Sequence, residues 1–365
     1  MRLSSVTRPH AGHWVVAAAV LATGCHGWAQ CLPSISPACA SVPPIPLGAR
    51  PETGAYYGNQ HQSGVLFVHS LEDRQGGWGW QPRTDTAEPQ RGVFDLRAGG
   101  AGDRIRGDTG GFDIDSRTAW VQGTATLGQW SPFGGVDRMH VGAMFGYGGT
   151  RSDAQGVPAY FQSQGNTSGY SVGAFGTWYQ DDLTRTGWYS DLWGQYAVFS
   201  DRVQTVFREQ VDYNSHAGIL SAEGGYVVRL QDSNWSLVPQ GQFVYVHNHT
   251  YNVTQLDGLQ VDGAHRGGWL SRLGVRAEHE AFGWAGAVFR PSVTLNWWHD
   301  ALGDEVVVNN VSTRYLYPSD RFEFKAGVDA RFQGGWMAWG NVGWQMGSQS
   351  YQAWTVQAGT RFVWR

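Results

Sequence analysis

One serine of the chain lies in a pattern that nucleophilic enzymes use. Ser171 is the centre of Gly-Tyr-Ser-Val-Gly, residues 169–173, and serine hydrolases place their nucleophile in such a pattern, on a sharp turn between a strand and a helix. Here an alternating strand pattern continues through Phe175 and Trp178. Glycine is also frequent, at 51 of 365 residues, so chance matches arise easily. We expect Ser171 to be an ordinary strand residue and predict no catalytic residue.

Three histidines are candidates for a metal site. His247 and His249 share one face of a predicted strand, and His265 could approach them across the following loop. A protein-bound zinc ion needs three or four such ligands. Polar positions at a strand end explain the first two histidines more simply. We therefore predict no metal site and no cofactor.

Two charged clusters complete the candidates. Asp113 and Asp115 share a face and are expected in a lumen, beside arginines such as Arg97 or Arg117. Such carboxylates set the electric field more often than they transfer protons. Arg106-Gly107-Asp108 matches a motif that adhesion receptors bind. A solvated turn is the simpler interpretation, and the role of this loop stays open.

The composition limits the class of protein that could position these residues. Charged residues are 15% of the chain and the net charge is −4, whereas typical soluble domains carry roughly 25% charged residues. This charge gives no electrostatic case for binding nucleic acid. The mean hydropathy is −0.36, and beyond the N-terminus no apolar run is long enough for a membrane helix. Membrane β-barrels remain compatible, because half of each of their strands is polar.

The N-terminal residues are typical of an exported protein. Arg2 and Arg8 precede the apolar stretch 14–22, and small residues follow before Gln30, so we predict a signal peptide over 1–29 that the Sec machinery recognises. A lipoprotein box with lipidation at Cys25 is the alternative.

Cleavage of the signal peptide would leave Cys31 and Cys39, which form either one disulfide or two idle thiols. Residues 30–50 are rich in Pro and Ser and predict an extended linker.

The remaining chain predicts a helix followed by a sheet. Residues 51–75 contain a helical apolar face beside a polar one and are too polar to face lipid, so we expect a helix inside a polar lumen or, alternatively, on the surface of a sheet.

Residues 76–365 predict twelve strands, several longer than ten residues. In Phe-Glu-Phe-Lys-Ala-Gly-Val-Asp-Ala-Arg-Phe, residues 322–332, the phenylalanines and Val328 are predicted to face lipid. Glu323, Lys325, Asp329 and Arg331 are predicted to face the lumen. Similar outward faces are predicted for residues 285–297 and 354–364. The predicted strands are 92–105, 111–131, 137–153, 165–181, 185–201, 212–232, 234–252, 264–282, 284–301, 318–334, 335–349 and 351–365.

The connections between these strands favour a barrel over a sandwich. Short connections alternate with long ones, which is the pattern of outer-membrane barrels with short periplasmic turns and long extracellular loops. Several tryptophans near strand ends suit interfacial girdles. These are Trp130, Trp178, Trp188, Trp297 and Trp298. The fold class that we predict is all-β: a transmembrane twelve-stranded antiparallel β-barrel with a lumenal α-helix preceding it.

Four segments resemble the translocator domain of autotransporters, in the pertactin-like branch. Residues 50–74 resemble the lumenal helix of that family, 139–153 its third strand, 296–300 an Asn-Trp-x-His strand end, and 356–365 its final strand. The resemblance implies a twelve-stranded barrel in the outer membrane of a Gram-negative bacterium, inserted by the barrel-assembly machinery. It also implies translocation of an N-terminal polypeptide, here no longer than the protein's own N-terminal segment, because only about 20 residues separate the signal peptide from the helix. Arg365 after Trp364 departs from the family's aromatic ending.

Other functions are compatible with parts of the sequence. An outer-membrane barrel hydrolase, either protease-like or phospholipase-like, would need a catalytic constellation at the rim. A surface adhesin or porin-like barrel without a passenger needs none. A soluble secreted sandwich or lectin is disfavoured by the strand lengths and by the alternation of loop lengths.

Overall fold

The computed structural model describes thirteen stretches of the chain, beginning at the predicted helix. These are residues 51–77, 92–107, 112–156, 162–182, 184–205, 210–231, 233–255, 258–262, 265–279, 282–284, 286–314, 316–332 and 336–364. The predicted signal peptide, the linker over 30–50, Asp108 and Arg365 lie outside these stretches.

Twelve long antiparallel strands form a closed barrel. Each strand pairs with its neighbours in the chain, and pairing of the first with the last closes the sheet, with Gly92 opposite Trp364. Closure satisfies every strand edge, which a barrel in lipid requires. The predicted fold class is confirmed. The barrel strands are β1 (Gly92–Ile105), β2 (Asp113–Trp130), β3 (Arg138–Gln155), β4 (Gln162–Tyr179), β5 (Gly187–Thr205), β6 (Val211–Arg229), β7 (Trp235–Thr250), β10 (His265–His279), β12 (Ala287–Ala301), β15 (Asp320–Phe332), β16 (Met337–Gly347) and β17 (Gln352–Trp364).

The alternation within β15 has the predicted orientation. Phe322 is 62% exposed on the outer wall, and Phe324, Val328 and Phe332 are exposed with it. Glu323, Lys325 and Asp329 are buried on the lumen side. The same holds in β17, where Trp354, Val356 and Phe362 are exposed while Gln357 and Arg361 are buried. The barrel is therefore apolar outside and charged inside, as a membrane barrel must be.

The two rims of the barrel differ in their connections. At the rim that holds Gly92 and Trp364, here called the short-loop rim, short turns join the strands. At the opposite long-loop rim, two connections form a four-stranded sheet of their own. That sheet was not predicted. Its strands are β8 (Val253–Thr254), β9 (Gln260–Asp262), β13 (Glu305–Val308) and β14 (Val311–Arg314). The remaining short strand, β11 (Phe282–Trp284), pairs with the start of β12 at the short-loop rim.

A buried carboxylate fixes one turn of the short-loop rim. Asp182 lies 3.1 Å from Arg138, 3.2 Å from Arg185 and 3.7 Å from the His140 ring. Burial acts to raise the pKa of Asp182, but His140 and the Arg185 guanidinium outweigh it, so the pKa of this carboxyl lies below its usual value. The turn between β4 and β5 is thereby tied to β3.

The lumenal helix is divided in two. α1 covers Pro51–Val65 and α2 covers Leu71–Gln75, where one helix over 51–75 was predicted. Leu66 and Phe67 join an apolar cluster between the two helices, and Ser70 starts α2 with a capping box to Asp73. In the described residues, no helix has the length and apolar character needed to cross a membrane.

The polarity of the wall reverses towards the long-loop rim. Apolar residues such as Ile105 and Ile114 point inward there, and charged residues occupy the outer face. Our expectation that Asp113, Asp115 and Arg117 face the lumen is therefore wrong. In β2 the inward positions belong to Ile114 and Ser116, which are buried, and the alternation sends their neighbours outward. The outward residues near this rim are Arg104, Asp115, Arg117, Arg151, Asp153, Arg202 and Asp212.

The predicted girdle tryptophans divide between the two faces. Trp130, Trp188 and Trp297 are exposed on the outer wall. Trp298 instead faces the lumen, where its ring nitrogen donates to Glu323 at 3.1 Å and Arg272 lies over its ring. Adjacent residues of a strand point to opposite faces, so Trp297 and Trp298 cannot both belong to a girdle.

Candidate functional site

The helix α1 fills the lumen near the long-loop rim. Fourteen of its fifteen residues are buried, although its sequence is mostly polar or small. Gly54 and Gly58 let it press against β3, because a Cβ atom added at Gly58 would lie 2.9 Å from Ser152 and one at Gly54 would lie 3.0 Å from Ala154. The spacing of four residues puts both glycines on one helix face. The shape of that face fits the wall.

Amide side chains join α1 to the wall. Asn59 donates to the backbone carbonyl of Arg202 at 3.1 Å and to the Tyr213 hydroxyl at 3.0 Å. From the wall, Asn248 donates to the carbonyl of Gln60 at 2.9 Å and to the Ser63 hydroxyl at 2.7 Å. These neutral bonds satisfy groups that would otherwise be buried without partners. They hold α1 without net charge.

A histidine connects α1 to a long loop. The His61 ring lies 2.6 Å from an oxygen of Asp304 and stacks on Tyr317 with centroids 3.7 Å apart. Tyr57, one turn earlier, accepts a hydrogen bond from the backbone of Leu316 at 3.2 Å. α1 and the loop between β12 and β15 therefore close the lumen together at the long-loop rim. They pack around an apolar cluster that includes Val306 and Val308 of the four-stranded sheet.

α2 occupies the lumen near the short-loop rim and is held by charge. Asp73 accepts from the Lys325 ammonium at 2.9 Å, from Asn341 at 3.3 Å and from Gln357. The same carboxylate completes the capping box with Ser70. One side chain thus joins the start of α2 to three strands of the wall, through charge-assisted hydrogen bonds.

Further ion pairs surround α2. Arg74 lies 2.5 Å from Asp191 and over the ring of Phe175, at 4.4 Å from its centroid. Both charged side chains are almost completely buried. Glu72 lies 3.4 Å from Arg276 of β10. Buried pairs of this kind are weak evidence for stability, but breaking one leaves a buried charge without a counter-charge.

The chain crosses the lumen in one direction. α1 begins beside Ala154 and Phe112 at the long-loop rim, and Gly77, after α2, donates to Asp329 at 3.0 Å near the short-loop rim. Beside the helices, the described lumen leaves a cavity of about 190 Å³ lined by residues such as Asp73, Arg97 and Trp298. This space admits water, while the helices occupy most of the pore.

Among the side chains that the structure describes, the residues considered first for chemistry do not form a catalytic or metal site. Ser171 is buried in the middle of β4 and donates to Gln195 at 3.1 Å, so it lies on no nucleophile elbow. His247 and His249 lie on the same outward face of β7. The His249 ring is tilted against that of His216, with centroids 4.7 Å apart, and meets Tyr251 edge-on at 4.8 Å. No cluster of three metal-ligating side chains occurs among the residues that the structure describes. Arg106 pairs with Asp113 at 2.6 Å, which orders this part of the Arg-Gly-Asp loop.

Comparison with known proteins identifies the family of this barrel. The family model described as the autotransporter beta-domain matches residues 96–343. The uncharacterized protein YdeU of Escherichia coli K12 is 29% identical over 92% of this chain and 76% of its own length. The autotransporter adhesin AIDA-I of Escherichia coli is 24% identical over 86% of this chain but only 25% of its own length.

A solved structure agrees with the family match. The crystal structure of the AIDA-I transport unit from Escherichia coli superposes with a TM-score of 0.73 at 21% identity, and covers 86% of this chain and 99% of that one. At this identity the likeness concerns the fold. Together with the family model, which spans most of the barrel, it leads to one conclusion: the chain belongs to the autotransporter beta-domain family.

Proposed function

We propose that this translocator barrel carries the polypeptide attached to the N-terminal end of α1 to the cell surface. The observation that supports this is the path of the chain, which enters the lumen at the long-loop rim and leaves it at the short-loop rim. Autotransporter barrels lie in the outer membrane of Gram-negative bacteria, where short turns face the periplasm. A segment that precedes α1 would then emerge outside.

The proposed mechanism is geometric and needs no catalytic residue. A twelve-stranded barrel encloses a pore that one helix or one extended segment can occupy. Asn248, Lys325 and Asp191 offer partners to α1 and α2 once the preceding segment has passed. The two helices then close the pore to solutes. The same path of the chain through the lumen therefore accounts for both translocation and closure.

The finer parts of the proposal concern the N-terminal residues and the assembly route. We propose that residues 1–29 are a signal peptide for the Sec machinery and that the barrel-assembly machinery inserts the mature chain. Residues 30–50, with Cys31 and Cys39, would then be displayed on the cell surface. The pattern of basic, apolar and small residues supports the first step, and the family supports the second.

Removal of the helices tests whether they close the pore. The variant that lacks residues 51–74 should conduct ions continuously in a planar lipid bilayer, whereas the intact protein should conduct rarely. The control is the mobility of the unheated deletion variant on a denaturing gel, which must remain that of a folded barrel. Equal conductance of the two folded proteins would show that the helices are not a plug.

Labelling of intact cells tests the direction of transport. The full chain, expressed with its own N-terminus in a Gram-negative host, is probed with an antibody against residues 31–50. We expect labelling without permeabilisation and fractionation with the outer membrane. Labelling only after permeabilisation would contradict surface display while leaving the barrel in place, and recovery in the soluble periplasm would contradict the membrane assignment.

A further inference from the structure

A row of aromatic and basic side chains crosses five strands on the outer wall. The paired positions run from Trp344 through Trp354, Gly102 and Arg117 to Arg151. The side chain of Trp354 lies over Gly102, where an added Cβ would meet its ring nitrogen at 2.6 Å. The absence of a side chain at Gly102 therefore brings the indole face next to the arginines.

This row lies in a concave part of the outer wall. The groove has a volume of about 880 Å³, and its lining includes both tryptophans, the arginines Arg104, Arg117 and Arg151, and the acidic residues Asp103, Asp115 and Asp153. Trp354 is 51% exposed and Trp344 is 47% exposed, so both indoles are accessible from outside. A groove of this size accepts a ligand of several sugar units or a comparable headgroup.

The arginines in the groove differ in whether a carboxylate pairs with them. Arg104 pairs with Asp115, and Arg151 lies 3.2 Å from Asp153. Among the described residues, Arg117 has no ion-pair partner, and it lies directly opposite Arg151 across the β2–β3 pair. Like charges in opposite positions destabilise a sheet. An anion between the two guanidinium groups would remove that repulsion, and arginines bind phosphate through parallel hydrogen bonds.

The height of the groove on the barrel indicates what surrounds it. Below Arg151, on the same face of β3, lie the exposed Tyr147 and Phe145, beginning four residues, or about 13 Å, away along the strand. Those residues belong to the apolar band that contacts lipid tails. Exposed tryptophans occur where tails give way to headgroups. The groove thus lies at the height of the headgroups on the side of the long-loop rim.

We propose that this groove binds the phosphorylated sugar headgroup of a glycolipid in the outer leaflet. The indoles of Trp344 and Trp354 pack against the sugar rings, and Arg117 and Arg151 hold a phosphate between them. Basic sites beside membrane spans bind lipid headgroups in the same way. The inference uses only the outer wall, so it stands whether or not the lumen transports a polypeptide.

A lipid-dependent stability measurement tests the proposal. The full chain is reconstituted in phosphatidylcholine vesicles with or without lipopolysaccharide, and the temperature at which the folded band is lost on a gel is measured. Lipopolysaccharide should raise this temperature in the wild type, and Arg117→Gln should lose at least half of the rise. The control, Arg229→Gln, changes an exposed arginine at the short-loop rim and should keep the whole rise.

Three outcomes would overturn the proposal. An equal rise in the wild type and in Arg117→Gln would show that the groove is not the binding site. An equal loss in Arg229→Gln would show a general effect of charge. A full rise with inorganic pyrophosphate in place of lipopolysaccharide would show a simple anion site. Arg117→Gln removes the repulsion from Arg151, so in plain phosphatidylcholine vesicles its unfolding temperature should equal or slightly exceed that of the wild type. Each rise is therefore measured against the same variant without lipopolysaccharide.

Discussion

The two helices in the lumen are held by different kinds of interaction. α1 fits the wall through small residues, neutral amides and the apolar cluster at the long-loop rim, and it has one ionisable contact, from His61 to Asp304. α2 is only five residues long and is held by buried charges on several strands. Close packing depends on shape along the whole helix, whereas ion pairs in a low dielectric depend on a few atoms. A short helix near the short-loop rim can therefore be fixed as firmly as a long one.

The largest effect should come from removing the charge of Arg74. Arg74→Ala leaves Asp191 as a buried carboxylate without its partner, a change that costs about 3–5 kcal/mol in other proteins. We expect a loss of this order in the free energy of unfolding, measured by urea titration in micelles, and more frequent pore openings in a planar bilayer. Arg74→Met combined with Asp191→Leu should recover most of the loss, because no charge is then left alone.

The matched control for Arg74 is an exposed arginine of β5, the strand that carries Asp191. Arg202→Ala breaks a pair with Asp212 in which both side chains are more than half exposed, and exposed pairs contribute about 0–1 kcal/mol. If the Arg202 and Arg74 variants lost the same stability, burial of charge would not be what holds α2.

A smaller effect should come from altering the fit of α1. Gly58→Val adds atoms where a Cβ already lies 2.9 Å from Ser152, and overpacking of this kind costs about 1–3 kcal/mol. The better helix propensity of valine offsets roughly 0.5 kcal/mol of it. Conductance and urea titration should both show the change. Ser152→Gly in the same chain should restore the packing of α1 and the stability. If it did not, the effect of Gly58→Val would not come from the contact with Ser152.

A still smaller effect should come from the cap of α2. Ser70→Ala removes the hydroxyl that accepts from the backbone of Asp73, which costs about 1 kcal/mol at helix N-termini. Ser70→Thr should keep the cap and most of the stability in the same titration. If Ser70→Ala cost as much as Arg74→Ala, the helical shape of α2 would matter as much as its ion pairs.

A pH-dependent effect should come from the buried carboxylate of the turn between β4 and β5. The pKa of Asp182 is lowered in the fold, so its contribution to stability is complete above the unfolded pKa of about 3.9 and is lost as the pH falls through the folded pKa. The difference in unfolding free energy between the wild type and Asp182→Asn should be constant from pH 7 to 5 and shrink below pH 4. Conductance should stay the same in both, and a change would mean that this turn also controls the plug.

Much of the barrel could be predicted from local patterns. Alternation in β15 assigned Phe322 and Phe324 to the outer wall and Glu323 to the lumen, because lipid on one side and water on the other impose one polarity on a strand. The same reasoning failed for Asp113 and Asp115. Their part of β2 lies near the long-loop rim, where the outside is polar and the inside is an apolar cluster. Alternation fixes which residues share a face but not which face is which.

The lumen was harder to predict. The polar and small residues of α1 indicated a helix inside a pore, but nothing in residues 66–70 alone indicated that the helix stops there. The break results from Leu66 and Phe67 entering a cluster built from distant strands, and from the cap at Ser70. Ser70 followed by Asp73 was a usable signal, since this spacing often starts a helix. The four-stranded sheet depends on two loops far apart in sequence, so only the fold brings it together.

The break between α1 and α2 has a mechanical consequence. A pull on the outer end of α1, as a surface-bound segment would exert, loads the packing of α1 first. Its hydrogen bonds lie along the direction of pulling and can yield one turn at a time. Only after α1 has unravelled does tension reach Arg74 and Asp73, whose anchors lie in the barrel wall. If the helices close the pore as proposed, the closure consists of two elements in series: α1, towards the cell surface, unravels under load, and α2, towards the periplasm, keeps its ion pairs to the wall.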